Sequence, residues 1–85
     1  MKGKAKKTLE EIFAVPIKSN IAWKDIESLF QSLDADISEG QGSRVRISLN
    51  GIRAVFHRPH PRKEIDKGAL VSVRRFLKEA GVKSC

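Results

Sequence analysis

Both histidines of the chain, His57 and His60, fall in one short run, His57-Arg58-Pro59-His60-Pro61. Imidazole is the side chain that ordinarily titrates near neutrality, so it suits acid and base steps at working pH. Ahead of it lie two cationic runs, Arg44-Val45-Arg46-Ile47-Ser48-Leu49 and Ile52-Arg53-Ala54-Val55-Phe56, joined by Asn50-Gly51. Arginine binds phosphate-type oxygens as a planar fork that stays charged. Imidazoles beside arginine-bearing strands suit a polyanion, with acid–base chemistry at the edge of the surface that holds it.

The charge balance supports that reading. Lys+Arg 17 against Asp+Glu 10 gives +7 and a pI near 10.0 in 85 residues. Nine basic residues lie between Arg44 and Arg75, opposed only by Glu64 and Asp66, so this segment holds a net charge equal to that of the whole chain. Such a concentration favours nucleic acid or an acidic protein over a merely solvated face. A chain of this length holds one core, and 40% hydrophobic residues can fill it. The basic start, residues 1–7, reads as a flexible arm, and 8–85 as a single domain. No apolar run approaches the ~18 residues of a membrane span, and no apolar segment follows the basic start as a signal peptide requires. Cytoplasmic location is therefore expected, with no membrane partner. The single cysteine, Cys85, has no intrachain partner for a disulfide or a metal site.

Two kinds of element must position the arginines and histidines. Asn-Gly between alternating runs is a hairpin signal. In its first strand Val45, Ile47 and Leu49 share one face while Arg44, Arg46 and Ser48 share the other. One face packs on helices and the other is left for solvent or a ligand. Trp23, Ile26, Leu29, Phe30 and Leu33 make the apolar stripe of an amphipathic helix, with Trp23 a core anchor ahead of a base-stacking platform. Asp36–Glu39 is a brief strand, and Gly40-Gln41-Gly42 a turn. A last helix opens near Gly68 with Asp66 as its N-cap, buries Leu70, Val73, Phe76, Leu77 and Ala80, and ends at Gly81. Arg74, Arg75 and Lys78 fall late in it, where cations suit its dipole. Thr8 and Glu11 fit a capping box, predicting a short helix from Thr8 to about Ala14 that Pro16 stops. The order is a short helix, then α-β-β-β-α.

The ordered set Gly42-Ser43-Arg44-Val45, a hairpin, Pro59-His60-Pro61, Lys67-Gly68-Ala69-Leu70 and a helix ending Glu79-Ala80-Gly81 resembles the HicA toxin family. The resemblance runs from about Trp23 to Val82. It implies an α+β fold like the double-stranded-RNA-binding domain, with a three-stranded antiparallel sheet and helices on one face. It further implies a small ribonuclease toxin of a type II toxin–antitoxin system, cutting messenger RNA without metal or other cofactor. A HicB-like antitoxin would bind over the active site. The family's usual motif is Gly-Ser-His, with the histidine catalytic. Here Gly42 and Ser43 keep the turn, and Arg44 stands at the histidine's position.

Metal-free RNA cleavage needs a base for the 2′-hydroxyl, an acid for the leaving oxygen, and stabilisation of charge on phosphorus. His57 and His60 are the candidates for base and acid. Arg44 serves the third task, with Arg46 and Arg58 binding the phosphate. Gly42, Ser43, Arg53, Arg62, Lys63 and Lys67 complete the expected RNA-binding set as turn and rim. Plainer roles stay open: His57 as a strand-end hydrogen bonder, His60 as a packing residue of a proline-stiffened loop. The competing function is a HicA-like module that binds RNA or only its antitoxin without cutting. A DNA-binding regulator is disfavoured, since no helix-turn-helix spacing is present.

Overall fold

Asn50 and Gly51 close the hairpin with φ of 52° and 83°, the paired positive values of a tight two-residue turn that asparagine and glycine alone adopt easily. The computed structural model describes residues 3–18, 20–59 and 63–82. In it the elements run α1 (Gly3–Ile12), α2 (Trp23–Ser32), β1 (Asp36–Glu39), β2 (Arg44–Leu49), β3 (Ile52–His57) and α3 (Lys67–Glu79). The strands form one antiparallel sheet in the order β1-β2-β3. This is the α+β arrangement, α-β-β-β-α behind an N-terminal helix, that the sequence predicts. Among the described residues no helix is long and apolar enough to cross a membrane.

Burial follows the alternation of the strands. Val45, Ile47 and Leu49 of β2 are buried, as is Phe56 of β3, while Arg44, Arg46, Arg53 and His57 are exposed. The buried stripe of α2 (Trp23, Ile26, Leu29 and Phe30) and that of α3 (Leu70, Val73, Phe76 and Leu77) share the core with these strand residues. Phe56 is its aromatic centre: its ring lies 6.1 Å from Phe30, 5.8 Å from Phe76 and 6.1 Å from Trp23. These separations suit offset or edge contacts between rings. Phe56 is therefore core, and so is Trp23, as expected of it.

Local chemistry sets the ends of α3. The Asp66 side chain accepts from the Ala69 N–H at 2.7 Å, an N-cap. At the other end Gly81 (φ 82°) donates to Lys78 O at 3.0 Å and Val82 donates to Leu77 O at 2.8 Å, a Schellman closure. The Asn50 amide donates to Ala80 O at 2.8 Å, tying the hairpin tip to the end of α3.

The N-terminal helix departs from its predicted form. It begins at Gly3 rather than Thr8, so residues 3–7 are helical rather than a loose arm. Thr8 lies inside it, buried, with its hydroxyl donating back to Lys4 O at 3.1 Å, so the capping box with Glu11 does not form. Ala5, Leu9 and Ile12 make a buried face, and that burial decides the matter over local propensity. Arg74 also has another role. Its guanidinium donates to Ile12 O at 3.0 Å and Ala14 O at 2.8 Å, with Phe13 beneath it. It caps the end of α1 and the turn just beyond it, and the cation in the last turn of α3 is Lys78.

Candidate nucleic-acid interface

Strand register builds the open face of the sheet as three rows. Across β1, β2 and β3 the far row is Asp36, Ser48 and Arg53, and the middle row is Ser38, Arg46 and Val55. The near row is Arg44 opposite His57, extended by Gly40, whose N–H donates to Arg44 O at 2.9 Å. The core residues of the sheet point the other way, so these side chains face solvent rather than the helices.

Arg44 and His57 are directly paired at one end of this face. The Arg58 N–H donates to Ser43 O at 2.9 Å. Hydrogen-bonded and non-hydrogen-bonded pairs alternate along an antiparallel ladder, so Arg44–His57, one step inward, is a non-hydrogen-bonded pair. In such pairs the Cα atoms approach to ~4.5 Å and the side chains are closest. A guanidinium and an imidazole thus leave the sheet side by side and can address one phosphate. Gly40 keeps the flank open: a Cβ there would lie 3.3 Å from the Arg44 Cβ and 4.0 Å from the Arg46 Nε. This role is hidden in the sequence, because a glycine before Gln41-Gly42 reads only as turn. Gly42 has φ of 67° and Ser43 supplies the carbonyl that holds Arg58, so both shape the turn into the near row.

Arg58 is placed elsewhere. One residue past His57, its side chain lies on the opposite side of the strand, toward the helices. Its Nε donates to Glu27 Oε1 at 2.7 Å, and its NH1 donates to Glu39 Oε1. The same Glu27 oxygen accepts from the Trp23 indole N–H. Hydrogen bonding to Glu27, then to Glu39, raises the pKa of a group that is charged in any case. With its fork engaged by two carboxylates, Arg58 does not join Arg44, Arg46 and Arg53. It fixes the end of β3 against α2 and β1, and so orients the strand that carries His57.

The segment after β3 is stitched down again at Lys63–Ile65. Trp23 N–H donates to Lys63 O at 3.0 Å and Ile65 N–H to Ile21 O at 2.9 Å, with Ile65 buried. Lys63 therefore belongs to the strip beside the start of α2, and Lys67 opens α3. Both lie with the helical layer and do not share the rows of the open face. His60 and Arg62, expected as catalytic and rim residues, lie outside the described residues, as does Cys85.

The Arg58 network can be tested by stability. Arg58→Met keeps an unbranched apolar stem and leaves Glu27 and Glu39 without their cation. The network is part-exposed, so screening limits its worth, and charge-assisted hydrogen bonds suggest a loss of about 1–2 kcal/mol. For a domain of this size that is a fall in Tm of roughly 4–12 °C. Thermal unfolding followed by circular dichroism measures it. An unchanged Tm would show that the network does not anchor the end of β3.

The model of the family described as HicA toxin of bacterial toxin-antitoxin matches residues 23–82. Neither the curated proteins nor the solved structures give a match. The matched span holds the whole sheet, α2 and α3, with every residue of the open face. The chain belongs to the HicA toxin family of bacterial toxin–antitoxin systems.

Proposed function

We propose that this chain is a metal-independent endoribonuclease that cuts messenger RNA and thereby inhibits translation and growth in the cytoplasm. A HicB-like antitoxin neutralises it. The observation that carries the reading is the register pair of Arg44 and His57 on an arginine-rich open face. His57 is the acid–base group and Arg44 the cation that stabilises charge developing on the phosphoryl oxygens. Arg46 and Arg53 hold flanking nucleotides of a single strand, whose bases are free to be contacted. His60 is the second candidate for proton transfer.

A binding module is the second reading. It rests on Arg44, which occupies the position of the family's catalytic histidine. Controlled expression of the chain, following growth and messenger-RNA integrity together, separates the two. The ribonuclease reading expects growth arrest with fragmented RNA. Intact RNA alongside a folded, abundant protein would leave a module that binds without cutting.

A further inference from the structure

We propose that the far end of the open face is a base-selecting subsite for guanine, resting on the reading that this face holds single-stranded RNA. A concavity of about 600 Å³ is lined there by Asp36, Ser38, Arg46, Ser48, Arg53 and Val55. Its size is within the range of small-molecule sites. Val55 is 54% exposed in the middle of a polar, cationic surface. It offers an apolar floor for a base, and the neighbouring Arg46 guanidinium offers a plane for stacking.

The polar groups around this floor are arranged by the register. Asp36, Ser48 and Arg53 stand in one row across the three strands. Acceptor and donor are thus two strand spacings apart, ~9.5 Å between backbones. None of the ion pairs among the described residues involves Asp36, Arg46 or Arg53, so the carboxylate and both forks are available.

Base chemistry then discriminates. A carboxylate accepts two parallel bonds only from a base that presents two adjacent N–H donors. Guanine does so with N1–H and the N2 amino group, and its N7 and O6 acceptors lie on the other side for an arginine. Adenine and cytosine each place a ring-nitrogen acceptor beside their amino group, which a carboxylate repels. Uracil offers one N–H between two carbonyls. The middle and far rows are two and four residues along the strands from the Arg44–His57 pair. The selected base therefore flanks the phosphate held by that pair rather than lying at it.

Binding of uncleavable 2′-fluoro single strands, measured by fluorescence anisotropy, tests the subsite. One strand is A-rich with a single guanine, and two others carry adenine or inosine at that place. The protein is expected to hold the guanine strand roughly tenfold tighter than the adenine strand, the scale of one bidentate base contact. Inosine, which lacks the N2 amino group, should fall between them. Asp36→Asn should reduce the guanine advantage below about twofold while binding the adenine strand as well or better, since an anion is removed from a phosphate-binding face. Equal binding of guanine and adenine strands, or a guanine advantage that survives Asp36→Asn, overturns the subsite and leaves RNA binding intact. Failure to bind any strand overturns the RNA reading and the subsite with it.

Discussion

Replacing His57 by alanine is expected to reduce RNA cleavage by about 10²–10⁴-fold, the usual contribution of a positioned acid–base group. His57 is exposed at the end of β3, so its loss should leave stability nearly unchanged. A cleavage defect in a protein that melts normally would then be chemical. His60→Ala is the companion variant. Full activity in His57→Ala with loss in His60→Ala would transfer the acid–base role to the loop. The register adds a sharper test. Arg44 and His57 are directly opposed, so exchanging them, Arg44→His with His57→Arg, keeps one imidazole and one guanidinium within the same pair. It also puts a histidine at position 44, where the resemblance sets the family's own. The exchanged protein should recover part of the activity that His57→Ala loses. No recovery in a folded exchange variant would mean that the imidazole must leave the sheet from β3 specifically.

The elements most legible in the sequence are those whose signals are local. Asn50-Gly51 dictates a turn by its backbone preferences, and Asp66 and Gly81 cap α3 within four residues of their partners. Once the hairpin is set, alternation separates Arg44 and Arg46 from Val45 and Ile47 without further information. What the sequence hid depends on distant partners. Arg58 sits between His57 and Pro59 and looks like one more phosphate ligand. Its carboxylates are 31 and 19 residues away, on α2 and β1. Arg74 reaches carbonyls 62 and 60 residues earlier. In α1 the lysines masked an apolar face of Ala5, Leu9 and Ile12, and the Thr8–Glu11 spacing imitated a helix start. Tertiary burial overrode a valid local signal there.

Arg44→Ala is expected to lower the cleavage rate itself by about 10²-fold, the scale of losing one donor to a developing oxyanion. Arg46→Ala and Arg53→Ala should weaken binding and leave the rate at saturating RNA close to that of the unaltered protein. The distinction follows from position. Arg44 stands opposite His57, while Arg46 and Arg53 stand opposite Val55 and Ser48. If His57 transfers the proton as proposed, the cation beside it meets charge that grows in the transition state. Cations farther along the strand would meet parts of the RNA whose charge does not change in the reaction, and such uniform binding changes KM alone. Each lost phosphate contact should also flatten the dependence of log affinity on log salt by ~0.7 for a single strand. Arg44→Lys separates charge from geometry. Lysine keeps the cation but loses the planar fork, so it should restore binding and its salt slope while recovering only part of the rate. Full recovery of the rate by lysine would reduce Arg44 to a point charge. An Arg44→Ala protein that cuts at the original rate with only a raised KM would remove Arg44 from the chemical step and place it with Arg46 and Arg53 as a binding residue.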